Sequence, residues 1–560
     1  MCSICGGYYP LQDILRANET MKHRGKNASG YFEHHNFAMA HNRLSIIDLS
    51  EEANQPFHSP FCPHLSLVFN GEIYNYIEIK QQLIQQNVPF YTTSDTEVLL
   101  HAYAFWNEKC VSKFNGDFAF AIYNKHNGEV FLARDRLGNK PLFYSLINQQ
   151  LLFASEIKAI LEILPQPFCL EEVASWLLFG AGSIQQSIYQ NIYSFPAAHY
   201  GIFKNQELKC TKYWDFTPSR KYTRLEEAIE KLDELLQDAV RIRLRSDVPV
   251  ALSVSGGIDS SILAHYIQRL GGQCHFFGVS FTDFQESDES IHIQELGRNL
   301  EIPIQIISPH LSDFKQHFHQ LVYIQDEIFR SFSVYAQFLL FQSIAPYCKV
   351  TLGGQGADEL FGGYYHHAGR FIFQNRQEFE FRIQLYGKEA LTEYMLGLKC
   401  SLNRELKLQL FQEDNARNVQ KMQQYGMPIP SFQFLLERFL PDFNQSLWLD
   451  TTLFNLPHLL RYEDRNAMAV GVENRTPFTD YRIVEFAFEI TEGLKFAKGY
   501  SKYLLRILLE RLGSKKLAYR RDKIGFSSPE VALMKELGME YESLFDVRWA
   551  IFQALKEIRK

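Results

Sequence analysis

The stretch Val248-Pro249-Val250-Ala251-Leu252-Ser253-Val254-Ser255-Gly256-Gly257-Ile258-Asp259-Ser260-Ser261 decides the architecture of the second half of this chain. Its apolar run ends at Val254, gives way at once to a Ser/Gly turn, and is followed by a helical pattern from Ile262 to Leu270. Glycines let a backbone approach an anion closely. Serine hydroxyls and the free amides of a helix start donate to that anion, and the helix dipole favours its charge. By residue type the turn is a phosphate cradle. It is not the GxxxxGK[ST] loop, because the lysine is absent.

Outward from this point, apolar strands keep alternating with helical patterns. His275 to Phe281 precedes Ser290 to Leu300, then come Ile304 to Ser308 and Lys349 to Leu352. The alternation predicts a parallel sheet with helices on both faces, which binds ligands at the carboxyl ends of its strands. A second glycine cluster follows one such strand, Gly353-Gly354-Gln355-Gly356-Ala357-Asp358-Glu359-Leu360-Phe361-Gly362-Gly363-Tyr364, and beyond about residue 366 the pattern is mostly helical.

Toward the amino terminus the reading changes. Leu65 to Phe69, Phe118 to Asn124, Val130 to Arg134 and Leu151 to Ala154 are short apolar or alternating runs, and Asn127-Gly128 between two of them signals a hairpin. These predict a sandwich or layered sheet up to about residue 210. The stretch from Trp214 through Pro218, Ser219, Arg220 and Lys221 then leads into a helical pattern from Leu225. Two domains are expected, 2–210 and 226–545.

The whole chain has 560 residues, too many for one core, with 46% hydrophobic and 22% charged residues and a net charge of −7. With no polybasic run, neither nucleic acid nor a membrane surface is the expected partner. No signal-peptide pattern and no 18-residue apolar span is read, and the nine scattered cysteines suit reduced thiols, so a cytoplasmic location is expected. Cys2 and Cys5 form a CxxC, but no second pair completes a zinc site.

Cys2 becomes the first residue if Met1 is removed. A terminal cysteine then carries nucleophile and base together, its α-amine having a pKa near ~8. A cysteine at position 2 by chance is the bland alternative. The motifs His41-Asn42-Arg43-Leu44-Ser45-Ile46-Ile47-Asp48, Phe69-Asn70-Gly71-Glu72-Ile73-Tyr74-Asn75, Thr93-Ser94-Asp95-Thr96-Glu97 and Ala133-Arg134-Asp135-Arg136-Leu137-Gly138 weigh against it. In order and spacing they resemble the glutaminase domain of class II amidotransferases. Together with the Ser255–Ser261 loop, which resembles that of ATP pyrophosphatases, they make the chain similar to the glutamine-hydrolysing asparagine synthetase family from Cys2 to about Pro529.

The resemblance implies an Ntn-hydrolase-like α+β sandwich followed by an α/β ATP-pyrophosphatase-type domain with a helical carboxyl-terminal part. Cys2 would be the nucleophile. Arg43 would hold the glutamine carboxylate, with Leu44, Ile46 and Ile47 beside it, and Glu72 and Asp95 would hold its ammonium end. Asn70 and the Gly71 amide would stabilise the oxyanion. Val254, Ser255, Gly256, Gly257, Asp259, Ser260, Val279, Gly353 and Gly354 would bind ATP. Asp259 and Asp358 would hold Mg²⁺, and Lys502, in Tyr500-Ser501-Lys502-Tyr503, would stabilise developing charge in the acyl-adenylate chemistry.

Glu463-Asp464-Arg465, Val472-Glu473-Asn474-Arg475-Thr476-Pro477-Phe478 and Lys523-Ile524-Gly525-Phe526 also match the family. Two departures stand out. His23-Arg24-Gly25 is followed by Lys26-Asn27 where the family has Pro-Asp. Gln355 stands where many members carry a glutamate credited with handling a proton, and a glutamine cannot take one near neutral pH.

The expected substrates are glutamine, ATP and a carboxylate acceptor, aspartate first, and a homodimer is compatible with the reading. A sugar uronate or secondary-metabolite carboxylate is the rival acceptor. A β-lactam-synthetase-like adenylating cyclase is the rival of another class, opposed by the intact Cys2, Arg43, Asn70 and Asp95. A non-enzymatic interaction protein would have no use for two sets of active-site residues.

Overall fold

A computed structural model describes residues 2–280, 289–308, 310, 313–521 and 529–559. The Lys523–Phe526 motif, and Phe281 at the end of one expected strand, lie outside these described residues.

The amino-terminal half is built on two antiparallel sheets. Its strands are β1 (Ser3–Gly7), β2 (Ala28–His34), β3 (Phe37–Arg43), β4 (Leu65–Ile73), β5 (Gly116–Asn124), β6 (Glu129–Arg134), β7 (Phe143–Ile147), β8 (Gln150–Ala154), β9 (Tyr193–Ser194), β10 (His199–Lys204) and β11 (Glu207–Lys212). One sheet runs β2-β3-β1-β8-β7-β9 and the other β11-β10-β6-β5-β4. Side-chain alternation explains why they stack. In β4, Val68 joins Ala119, Ala121 and Tyr123 of β5 and Ile4 and Met39 of the other sheet in the core between the sheets. Leu65, Leu67 and Phe69 point the other way with Phe118, Phe120 and Ile122, onto Val98 and Leu99 of the helix Asp95–Trp106. Both faces are covered, so these strands read as apolar runs and not as alternating ones.

The β5–β6 hairpin forms at Asn127-Gly128, with a four-residue loop: Asn124 pairs with Glu129, and Gly128 supplies the positive φ of +69°.

The second half carries the parallel sheet β14-β13-β12-β15-β16, made from β12 (Val250–Val254), β13 (Cys274–Val279), β14 (Ile304–Ile307), β15 (Val350–Leu352) and β16 (Glu473–Arg475). All its pairings are parallel. The chain winds outward from β12 to β14 and returns on the other side of β12 to β15. The order therefore reverses between β12 and β15, and a crevice opens there at the strand ends. Both glycine loops leave from that crevice. The strand β16 was not expected: Glu-Asn-Arg is wholly polar, yet it is buried and completes the sheet.

The halves are fused. Leu44, Ile46, Ile47 and Leu137 pack in one cluster with Ala228, Leu232 and Leu236 of the helix Leu225–Arg243, while Ile14 and Ile160 share another with Phe314 and Phe545. No helix among the described residues is long and apolar enough to cross a membrane.

Candidate active sites

Cys2 lies at the mouth of β1, buried, and its backbone N–H donates to Asn70 Oδ1 at 3.1 Å. Burial raises its thiol, whereas the Leu44 amide and Arg43 pull it down. Asn70 is fully buried, and its amide nitrogen Nδ2 has no hydrogen-bond partner. An unpaired buried donor costs roughly 1–3 kcal/mol, so a donor left open beside a nucleophile is a preset acceptor site for negative charge. Gly71 follows with φ +143° and its Cα against the Asp117 carbonyl, a place where a Cβ would collide.

Arg43, at the end of β3, donates to Ser50 O at 2.6 Å, to Asn54 Oδ1 at 2.8 Å and to Asp48 O. These bonds fix the guanidinium fork against the loop that follows. Asp48 also accepts from both Thr93 N and Thr93 Oγ1 at 2.9 Å, tying this loop to the segment that carries Asp95. Neither Asp48 nor Asn54 was singled out from the sequence. Ile46 O is occupied by Asp247 N at 2.9 Å, so Leu44, Ile46 and Ile47 also serve the junction of the halves.

Glu72 and Asp95 are buried together. Burial is the first cause that raises Asp95, to about 6, and it also raises Glu72. Glu473 adds to that rise for both carboxyls, and Arg475 opposes it. The second half reaches in here, with Arg475 Nη2 standing 3.8 Å from Glu72 Oε1 while its Nε holds Glu473 at 2.6 Å.

At the crevice of the parallel sheet, Gly256 adopts φ +63° with His292 packed against it. The loop is braced internally: Gly257 N donates to Ser255 Oγ at 3.3 Å, and Ser255 N to Ser260 Oγ at 3.2 Å. Asp259 enters the helix Ile258–Arg269, and Gly354 of the second loop lies against it, a Cβ there falling 2.9 Å from Asp259 Cβ. Val254 is buried below, Gly353 follows β15, and Val279 ends β13. Gln355 is half-buried at the turn before the helix Ala357–Phe361.

Lys502, itself buried with φ +54°, joins the two loops. Its Nζ meets Asp259 Oδ1 at 2.9 Å and Oδ2 at 2.7 Å, and Asp358 Oδ1 at 2.5 Å. Gly363 makes room for this pair, since any Cβ there would overlap Asp358 Oδ1. Two carboxylates that converge on one cation are hard oxygen donors of the kind Mg²⁺ takes, and the ammonium stands in for such a charge. The residues therefore fit the metal. Among the described residues, one further cluster has metal-ligand chemistry, His366, His367 and Asp450, in which both imidazoles bond Asp450 Oδ2, at 2.6 and 2.8 Å.

The first site is tied to the second half of the chain by a pair invisible in the sequence. Arg24 donates to Cys2 O at 3.0 Å and to Asp464 Oδ2 at 2.8 Å, partners 440 positions apart in the second case. The His23-Arg24-Gly25 run thus contributes an interdomain arginine.

Two family models match the chain in succession. Residues 1–214 match the glutamine amidotransferase domain family, and residues 231–546 the asparagine synthase family. The chain is 28% identical over 535 residues, 91% of its length and 83% of the relative, to glutamine-hydrolysing asparagine synthetase 3 of Bacillus subtilis (strain 168). It is 31% identical over 520 residues to synthetase 2 of the same strain, 87% of this chain and 65% of the relative. It is also 27% identical over 544 residues to the amidase chry2 of Gibberella zeae, covering 87% of this chain and 79% of that one.

Proposed function

Because the chain belongs to the asparagine synthase family and is a glutamine-hydrolysing carbon–nitrogen ligase, we propose that it transfers the amide nitrogen of glutamine to the side-chain carboxylate of aspartate through an acyl-adenylate, using ATP and Mg²⁺. The observation that supports the reading is the pair of buried residue clusters, one around Cys2 and Asn70 and the other where Asp259 and Asp358 meet Lys502.

In the first half-reaction the Cys2 thiolate attacks the glutamine amide carbon. The carbonyl π electrons move to oxygen, and the oxyanion is met by Asn70 Nδ2 and the Gly71 amide. The terminal amine that took the thiol proton returns it to the amide nitrogen, so that collapse expels ammonia and leaves a γ-glutamyl thioester that water clears. Arg43 orients the glutamine carboxylate, and Glu72 with Asp95, in their ionised forms, hold its ammonium.

In the second half the Ser255–Ser260 turn cradles the pyrophosphate portion of ATP. Asp259 and Asp358 would hold Mg²⁺, which neutralises phosphate charge when bound. The acceptor carboxylate attacks the α-phosphorus and pyrophosphate leaves. Lys502, held between Asp259 and Asp358, is placed to follow the departing charge. Ammonia then displaces AMP from the acyl carbon.

Cys2→Ala should abolish glutamine hydrolysis and glutamine-dependent synthesis while sparing synthesis from ammonium chloride. Equal loss with both nitrogen donors would contradict two separate sites. The acceptor is tested by pyrophosphate release from ATP with aspartate at saturating ammonium chloride. A rate no higher than the acceptor-free blank would remove aspartate and leave the ligase chemistry standing. A second reading, amidation of a secondary-metabolite or uronate carboxylate, is favoured by Gln355, and the likeness to an amidase is compatible with it.

A further inference from the structure

Next to the segment that carries Asp358, three side chains with lone pairs for a metal converge from two parts of the chain. His366 and His367 stand in the first turn of the helix Tyr365–Gln374, and Asp450 opens the π-helical turn Asp450–Phe454. Such turns are rare and occur mostly at functional sites. Neighbouring helix positions point about 100° apart, yet both Nε2 atoms reach one oxygen, Asp450 Oδ2, at 2.6 and 2.8 Å. The ligand atoms of the three residues all lie within 4.8 Å of one another. His367 and Asp450 are buried, whereas the His366 side chain is 29% exposed and opens the cluster to solvent. His367 Nδ1, also buried, has no hydrogen-bond partner.

We propose that His366, His367 and Asp450 reversibly bind a divalent cation of the zinc class, at a site separate from the Mg²⁺ position between Asp259 and Asp358. Two imidazoles and one carboxylate are the donors of a three-ligand zinc site whose fourth position is left to water. They suit Mg²⁺ poorly, since that ion takes oxygen ligands in near-octahedral array. Binding exchanges the two bonds to Asp450 for bonds to the ion. Each imidazole turns its Nε2 lone pair inward by shifting its proton to Nδ1, and no proton leaves the protein. The Nδ1 of His367 is spent on no other partner and can take that proton. Tetrahedral ligands about 2 Å from zinc stand about 3.3 Å apart. The imidazoles must therefore draw back from Asp450 by about 0.5 Å, a move the part-exposed His366 can make.

Burial holds both imidazoles below their ordinary range, so each is neutral and able to ligate. The charge around them is mixed. Arg370 and Arg438 oppose a cation. Arg370 is committed to backbone, donating to His366 O and Leu440 O at 2.7 Å and to Arg438 O at 3.1 Å. Asp450 and, from the pyrophosphate side, Asp358 favour a cation. The second ring, directed at an oxygen that is already bonded, distinguishes this cluster from an ordinary His–Asp pair. An ion here ties the helix Tyr365–Gln374 to the π-helical turn, against which the helix Ala357–Phe361 also packs.

The test uses the full-length protein, stripped of metal with a chelator and dialysed free of it. Zinc chloride is titrated by calorimetry into the wild type, His366→Gln and Asp450→Asn, with excess magnesium chloride present to fill the other site. Free cysteines can also take zinc, so the reading is the difference between the proteins. The wild type should bind one equivalent that both variants bind at least about tenfold more weakly, since each variant loses one of three ligands. Zinc at about 100 times its Kd should raise the thermal midpoint of the wild type and leave that of His366→Gln where it was. No binding by the wild type, or equal affinities and midpoints in all three, overturns the proposal. A second measurement needs no variant. X-ray absorption of the wild type with one equivalent of zinc should show two imidazoles and oxygen around the metal. Sulfur in that shell, or fewer than two imidazoles, overturns the site.

Discussion

Replacing Asn70 with alanine separates catalysis from stability in the glutaminase half. Asn70 is fully buried and bonded on one side only: its Oδ1 accepts from Cys2 N at 3.1 Å, while its Nδ2 has no partner. Asn70→Ala loses one neutral hydrogen bond, about 1 kcal/mol, but also removes an unsatisfied donor that costs roughly 1–3 kcal/mol. The two terms oppose, so the variant should fold with little change in thermal midpoint. Catalysis has no such offset. An oxyanion donor is worth about 2.7–4 kcal/mol, or roughly 10²–10³ in kcat. Asn70→Asp should be at least as damaging, because an ionised carboxylate only accepts. The assay is glutamate release from glutamine at saturation, with KM and ammonia-dependent synthesis measured alongside. KM should stay within a few-fold and synthesis from ammonium chloride should persist. A kcat fall smaller than about tenfold would refute the assignment of Nδ2 to the oxyanion.

Gly363→Ala should cripple pyrophosphate release while leaving glutamine hydrolysis intact, since its Cβ overlaps Asp358 Oδ1 and falls 2.5 Å from Lys502 Cε; wild-type release would show that this pair yields without consequence. Burial holds Asp95 at about 6, above its ordinary 3.8, so its acid form stabilises the free enzyme below about pH 4, a contribution lost as pH rises through 6. Glutamine's ammonium needs the ionised pair, so KM for glutamine should climb as pH drops below about 6, by up to about tenfold per unit; a KM flat between pH 5 and 8 would contradict this. Arg24→Met strands the buried Asp464 carboxylate, a loss of about 3–5 kcal/mol that differential scanning calorimetry would register as a lowered midpoint. Chelating divalent cations should stop pyrophosphate release and spare glutamate release from glutamine.

Local chemistry made much of this molecule readable. The apolar runs at β4, β5, β6 and β8 and the alternation from β12 to β15 emerge where the sequence placed them, because strand and helix periodicity is set by which side chains can be buried. Hairpin length at Asn127-Gly128 escaped that logic. A two-residue turn and the observed four-residue loop use the same glycine, and the register of β5 on β6 chose between them. The strand β16 escaped for another reason. Glu473 and Arg475 are stabilised by pairing with each other and with backbone from Arg243 and Arg245, not by apolar burial, so no hydrophobic signal marks it.

The residue types of the two sites were legible for a similar reason. Gly256 needs a positive φ, Ser255 and Ser260 need hydroxyls, and a helix start needs free amides, all demands met within a few positions of one chain segment. What those residues do to one another was not legible. The partnerless Nδ2 of Asn70, the raised carboxyls of Glu72 and Asp95 and the convergence of Asp259 and Asp358 on Lys502 all arise between segments separated by tens to hundreds of residues. Hydrogen-bond satisfaction and pKa depend on the loss of water and on which charge arrives opposite, and both are properties of packed space. A motif names a donor or a carboxylate, but the fold alone sets its protonation and its partner.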